Sequence, residues 1–343
     1  MVGNWSGAVD LCKPLTLVEG IRNKVGKNVD VFYAKGSNLT ADFELEKRTA
    51  ILGKGLNRDN RTELDLLNEA LEVARQSDVI IAALGESAEM SGECSSRTDL
   101  NIPDVQKKLL SKLLKLGKPV VLVVFTGRPL TLTWEAEHVP ASLTVWLGGT
   151  EAAPAIADVL FGDINPSGKL TMSFPQTVGQ CPIFYNHKNT GRPLKEGQWF
   201  TKFRSNYLDV SNEPLYPFGF GLSYTTFDYS DIQLNDSLLS MNGKLIASVM
   251  VTNSGRMDGM ETVQLYIRDP VGSTTRPVKE LKSFQKIFLK AGEKKNISFQ
   301  ITPELLKFYD YELNYVCEPG EFHLMIGSNS RDTRMVKFIL SDK

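Results

Sequence analysis

Histidine and cysteine are scarce and scattered. His138, His187 and His323, with Cys12, Cys94, Cys181 and Cys317, are spread over 343 residues. No Cys-x-x-Cys occurs and no spacing fits a metal-ligand set, so a zinc centre or a histidine-based triad has little to be built from. The cysteines read as four unpaired small residues. No apolar run approaches the roughly 18 residues of a membrane span. Lys and Arg number 39 against 40 Asp and Glu, so no global field draws in nucleic acid or an anionic membrane. No G-x-G-x-x-G follows a strand pattern, and no G-x-S-x-G elbow is present. Pro166-Ser167-Gly168-Lys169 lacks the first glycine and the length of a phosphate loop. The N-terminus, Met1-Val2-Gly3-Asn4-Trp5-Ser6, lacks the basic segment and apolar core of a signal peptide. Taken literally, that predicts a chain that stays in the cytoplasm, unless upstream sequence carries the signal. N-x-S/T sequons stand at Asn4, Asn38, Asn60, Asn235 and Asn296 and matter only in a glycosylating source.

What is present is a globular composition, 42% hydrophobic and 23% charged, in a chain long enough for two domains. Leu15, Val18, Ile21 and Val25 have near-helical spacing within residues 14–25, and Val29 to Ala34 then reads as a strand. Asn38 to Asn60 is polar and irregular. Glu63 to Gln76 is an amphipathic helix with Leu64, Leu67, Leu71 and Ala74 on one face and Thr62 as N-cap. Val79 to Leu84 and Val120 to Phe125 are apolar strands, with a helix over Asn101 to Leu116 between them, closed by Gly117. Leu143 to Leu147 is a further strand, and Ala152 to Phe161 an Ala-rich helix. Apolar strands alternating with helices predict a parallel sheet covered on both faces. Such a domain normally opens on a core strand, whereas this chain opens on a helix, which suggests that it begins inside the domain.

Residues 176–223 show no periodicity but are rich in aromatics, among them Phe184, Tyr185, Trp199, Phe200, Phe203 and Tyr207. These either stack on a ring-shaped ligand or pack the segment onto its neighbours. From Tyr224 the texture is all-β. Leu245 to Val251, Glu261 to Arg268, Leu281 to Leu289, Lys295 to Ile301 and Glu321 to Ser328 are separated by turn residues at roughly ten-residue spacing, as in an immunoglobulin-like sandwich. The fold class expected is therefore α/β plus all-β: an α/β sandwich over 1–175, an aromatic linker over 176–223 and a β-sandwich over 224–343.

The best candidate site lies where the strand Val79 to Leu84 ends, because ligands bind at the carboxyl ends of strands in open α/β sheets. The loop there is Gly85-Glu86-Ser87-Ala88-Glu89-Met90-Ser91-Gly92-Glu93-Cys94-Ser95-Ser96-Arg97-Thr98-Asp99-Leu100. Glu86, Glu89 and Glu93 supply carboxyl groups for proton transfer. Arg97 is an orienting cation or a donor to a sugar hydroxyl, and Asp99 is a candidate cap for the next helix. The bland alternative is a loop of solvated charges. Gly127-Arg128-Pro129, at the next strand end, reads as a ligand-binding turn or simply a turn.

In order along nearly the whole chain, the sequence resembles the C-terminal half of a family 3 glycoside hydrolase of the bacterial β-glucosidase kind. The carrying motifs are Gly92-Glu93-Cys94-Ser95-Ser96-Arg97-Thr98-Asp99-Leu100, Gly127-Arg128-Pro129-Leu130, Ala157-Asp158-Val159-Leu160-Phe161-Gly162, Asn165-Pro166-Ser167-Gly168-Lys169-Leu170 and Tyr216-Pro217-Phe218-Gly219-Phe220-Gly221-Leu222-Ser223-Tyr224. Val251-Thr252-Asn253-Ser254-Gly255 and Pro319-Gly320-Glu321-Phe322 continue the match into the sandwich. The resemblance implies an α/β sandwich followed by a fibronectin type III-like domain, and retaining hydrolysis of terminal β-glucosides by two carboxylates. It implies that the nucleophile is an aspartate on an N-terminal barrel, which no segment here resembles, and that the acid/base is the glutamate before Ser95-Ser96-Arg97-Thr98-Asp99-Leu100. That glutamate is Glu93, with Glu86 as second choice and Arg97 at the substrate. The partners implied are a β-glucoside or oligosaccharide and the missing barrel domain. No cofactor, metal, nucleic acid or membrane is implied. Relatives of this kind are exported, to the periplasm or outside the cell. Alone, the chain is expected to have half of a two-carboxylate machine and little activity. The alternative is a non-catalytic carbohydrate-binding or structural module.

Overall fold

The structure, a computed structural model, describes residues 2–3, 14–49, 58–195 and 197–342. Cys12 and the Asn4 sequon lie outside them. The chain forms two compact units, the first comprising Met1–Ile164 with Pro175–Cys181, the second Asn165–Phe174 with Pro182–Lys343.

The first unit is α/β. Helix α1 (Leu17–Val25) opens on a capping box in which Thr16 and Glu19 satisfy each other's backbone N–H groups. Helices α2 (Phe43–Arg48) and α3 (Glu63–Gln76) follow. Helix α3 has the bounds its spacing predicts, with a second capping box between Thr62 and Asp65. Its buried face is Leu66, Leu67, Ala70 and Ala74, while Leu64, expected inside, is 64% exposed. Strand β1 (Ile80–Gly85), helix α4 (Asp104–Leu114), strand β2 (Val120–Phe125), helix α5 (Thr133–His138), strand β3 (Ala141–Thr144) and helix α6 (Ala152–Leu160) complete the unit. The sheet is parallel in the order β1-β2-β3, with Ile80 opposite Val120 and Gly85 opposite Phe125. Val120, Leu122, Val123 and Val124 are all but inaccessible, as a parallel strand covered on both faces requires.

Val29 to Ala34 does not form the strand expected of it. It joins no sheet among the described residues, and Val29, Phe32 and Tyr33 are half-exposed or more. A strand needs a neighbouring edge, which side-chain propensity cannot supply. The Asn38 sequon is no open acceptor, since its buried amide donates to Asp59 O and Glu63 Oε1 and accepts from Asp59 N.

The second unit is a β-sandwich. Its elements are β4 (Phe227–Tyr229), β5 (Gln233–Leu234), β6 (Leu238–Ser240), β7 (Leu245–Asn253), β8 (Gly259–Arg268), β9 (Glu280–Leu289), β10 (Lys294–Ile301), α7 (Pro303–Leu306), β11 (Phe308–Tyr309), β12 (Tyr315–Val316), β13 (Gly320–Gly327) and β14 (Thr333–Ser341). One sheet runs β10-β7-β4, with β5 also on β7, and the other β6-β14-β13-β8-β9. Alternating inward residues such as Leu245, Ala247, Val249 and Val251 meet Val263, Leu265, Phe322, Leu324 and Phe338 in one apolar core. Part of the aromatic segment packs on this unit: Tyr185 stacks on Phe218 at 4.4 Å and meets Tyr266 edge-on. Trp199 and Phe203 are instead exposed. Cys94, Cys181 and Cys317 are free thiols, and no helix among the described residues is long and apolar enough to cross a membrane.

One acid of this unit is poorly served. Asp269 is buried; its Oδ1 accepts the Val271 N–H at 3.2 Å and its Oδ2 has no hydrogen-bond partner among the described residues. Burial holds its carboxyl above the usual aspartate range, against the pull of that N–H and of Arg276. A raised folded-state pKa gives stability that is complete below the ordinary aspartate value, about 4, and is lost as pH rises through the raised one. Asp269→Asn is therefore expected to raise the thermal midpoint at pH 7 and to leave it nearly unchanged at pH 4. A lower midpoint at pH 7 would show that attraction to Arg276 outweighs burial.

Candidate active site

The geometry follows from two parallel strands ending in register. Gly85 closes β1 at φ +135°, where an added Cβ would stand 1.9 Å from Phe125 O, so only glycine fits. The Gln106 amide on α4 braces this end: its Oε1 accepts Gly85 N–H at 2.7 Å, and its Nε2 donates to Gly85 O and Leu39 O at 2.9 Å each. Glu86 N–H continues the ladder to Phe125 O at 2.8 Å. The next residues of both strands, Glu86 on one and Thr126 to Arg128 on the other, are thus neighbours.

The Glu86 side chain is wholly buried. Its Oε1 accepts from Arg97 Nη1 at 2.7 Å and lies 3.3 Å from Arg128 Nε; its Oε2 lies 2.8 Å from Thr126 Oγ1. Thr126 Oγ1 also lies 2.7 Å from the Arg128 carbonyl, so two acceptors share its one proton. Arg97 Nη2 donates to Asn101 O at 3.2 Å. Two guanidinium groups thus converge on one carboxylate, with the Arg97 and Arg128 side chains only 12% and 19% exposed.

The loop leaves this knot through Ser87, makes a 3-10 turn over Ala88–Ser91 and then a reverse turn in which Ser95 N–H donates to Gly92 O at 3.1 Å. Glu93 and Cys94 form its tip. Cys94 takes φ +56°, in the left-handed region. Both are exposed, and the Glu93 carboxylate has no hydrogen bond or ion pair among the described residues. Glu89 is half-buried. The two glutamates named from sequence therefore differ sharply: Glu86 faces protein donors on every side, whereas Glu93 is presented to whatever approaches the loop.

Asp99 does not cap the following helix. Its Oδ1 accepts Asn101 N at 2.9 Å and Asn101 Nδ2 at 2.6 Å, and the Asn101 backbone N–H, foremost, holds its carboxyl below the usual range. The α4 N-cap is Pro103, without a side-chain bond. Thr126 and Gln106 were not singled out by sequence. The signal for Thr126 was its place beside Gly127-Arg128-Pro129 at a strand end. Among the described residues no group of three or more His, Cys, Asp or Glu is placed to hold a metal ion.

Residues 1–224 match the Glycosyl hydrolase family 3 C-terminal domain, and residues 261–330 the Fibronectin type III-like domain. A Periplasmic beta-glucosidase of Salmonella typhimurium is 45% identical over 340 residues, covering 99% of this chain and 44% of the relative. A Beta-xylosidase of Formosa agariphila is 38% identical over 331 residues, covering 96% and 42%. Among solved structures, the beta-glucosidase from Listeria innocua in complex with isofagomine superposes with a TM-score of 0.86 at 35% identity, over 99% of this chain and 44% of that one. The chain spans under half the length of these relatives.

Proposed function

Because the chain belongs to glycosyl hydrolase family 3, we propose that it supplies the acid/base half of a retaining β-glucosidase, with Glu93 as the proton donor. The observation that carries the reading is the contrast at the strand end: one glutamate locked in a buried knot, another held out on a turn with a free carboxylate. In the first step a carboxylate of a separate domain attacks the anomeric carbon, the glycosidic C–O bond breaks, and Glu93 gives its proton to the departing oxygen. In the second step Glu93, now a carboxylate, takes a proton from the water that attacks the glycosyl ester. The two carboxyl groups must stand about 5–5.5 Å apart. Arg97, bonded to Glu86 and Asn101, serves the site by shaping the loop beside the substrate. Export to the periplasm or beyond is part of the same reading and rests on the name of the Salmonella relative.

The test joins this chain to the part of the Salmonella protein that it does not cover. Hydrolysis of aryl β-glucosides is expected from the joined protein, faster than of β-xylosides, and only background from the chain alone. Normal turnover by the chain alone would sink the reading. Glucoside binding by the chain that Glu93→Gln leaves unchanged would favour a non-catalytic carbohydrate-binding module instead.

A further inference from the structure

We infer that Arg128 is the positioning residue for the acid/base, a clamp that fixes the Glu93 turn from beneath; this rests on the reading of Glu93 above. The Arg128 Nη2 group donates to Met90 O and, at 2.8 Å, to Ser95 O. These carbonyls stand on either side of Gly92-Glu93-Cys94, so one guanidinium closes both ends of the turn that carries the carboxylate. The guanidinium is itself held by an ion pair, its Nε lying 3.3 Å from the buried Glu86 carboxylate, and the main chain at Arg128 is held where its N–H donates to Thr126 Oγ1 at 3.1 Å. The chain of support runs from β1 and β2 through Glu86 to Arg128 and then to the loop.

Two further features agree. The loop lies directly on the turn after β2: a Cβ on Gly127 would stand 2.1 Å from Ser91 Oγ. Met90 is only 3% exposed, which pins the near end of the turn at the point where Arg128 grips it. From Ser87 to Ser95 the loop has few backbone bonds of its own: Met90 N to Ser87 O at 3.1 Å, Gly92 N to Glu89 O at 3.5 Å and Ser95 N to Gly92 O at 3.1 Å. Segments of that kind open locally at little cost unless side chains hold them. Placement of a proton donor matters steeply, since a shift of about 1 Å can cost about a hundredfold in rate. Lysine would keep the charge, but as a point donor it cannot face Glu86 and both carbonyls with one planar group.

Cys94 provides the reporter, being exposed and adjacent to Glu93. In the full chain with Cys12, Cys181 and Cys317 changed to serine, a nitroxide on Cys94 reads loop motion directly. Arg128→Lys and Arg128→Met are each expected to convert an immobilised spectrum to a mobile one, with circular dichroism unchanged. In the joined enzyme the same variants are expected to lower kcat on an alkyl β-glucoside by about 10- to 100-fold, with KM little changed and dinitrophenyl β-glucoside, whose leaving group needs no proton, much less affected. Gly127→Ala, whose added Cβ would meet Ser91 at 2.1 Å from its Oγ while leaving the Arg128 and Glu86 side chains unsubstituted, supplies a second perturbation if Arg128→Met fails to fold; it is expected to mobilise the label too. A label that stays immobile in Arg128→Lys and Gly127→Ala overturns the clamp, whatever the rates. A mobile label with unchanged rates overturns the role of Arg128 in catalysis; if Glu93→Ala is then also silent, the Glu93 reading has failed, and if it is not, only the positioning inference has.

Discussion

Glu93→Ala in the joined enzyme is expected to lower turnover of an alkyl β-glucoside by about 10²–10⁴-fold, the usual worth of a placed general acid or base. The loss should depend on the leaving group. An alkoxide cannot depart without a proton, so the first step stalls. A dinitrophenolate departs unaided, so the first step survives and the glycosyl-enzyme accumulates, because water still needs a base. Added azide, which is already a nucleophile, attacks the ester without deprotonation and should restore turnover of the dinitrophenyl glucoside, giving β-glucosyl azide with retained configuration. That product can be identified directly. A loss equal for both leaving groups and indifferent to azide would remove Glu93 from the proton-transfer step, and the same measurements on Glu89→Ala would then show whether its neighbour carries the role.

The sequence shows the elements more readily than their neighbours. Thr62 as an N-cap, the apolar run Val120–Phe125 and the alternation from Leu245 to Val251 are local signals, and the structure places elements there. Val29 to Ala34 carries an equally good strand pattern and joins no sheet among the described residues, because pairing is decided by another segment's edge. β14 is hidden for a different reason: Phe338 and Leu340 point inward, but Met335 and Ile339 are exposed, so apolar residues fall on both faces. The site divides in the same way. The loop itself, its three glutamates and Arg97 are visible in one continuous stretch. The meeting of Glu86 with Thr126 and Arg128, some 40 residues on, follows from Gly85 pairing opposite Phe125, and a parallel register across an intervening helix leaves no local mark. By composition and spacing Glu86 and Glu93 are therefore two acids of one loop; the family resemblance ranks Glu93 first, and burial supplies the physical contrast between them.

That separation has its own consequence for stability. Glu86→Ala is expected to destabilise the first unit by about 3–5 kcal/mol, because it leaves two largely buried guanidinium groups facing an empty site. For a unit of this size that is a fall of roughly 6–20 °C in its thermal midpoint. Little of it should vary with ionic strength, since buried pairs are poorly screened. Glu86→Gln, which keeps an acceptor for Arg97 but not the charge, should fall between. The effect on catalysis then differs in kind from that of Glu93→Ala: whatever activity is lost is lost alike for alkyl and dinitrophenyl glucosides, because the whole loop has shifted, and azide restores none of it. A thermal midpoint unchanged to within a degree, together with azide rescue, would exchange the roles of the two glutamates, making Glu86 the proton donor and the knot around it a device for tuning that donor rather than a footing for the loop.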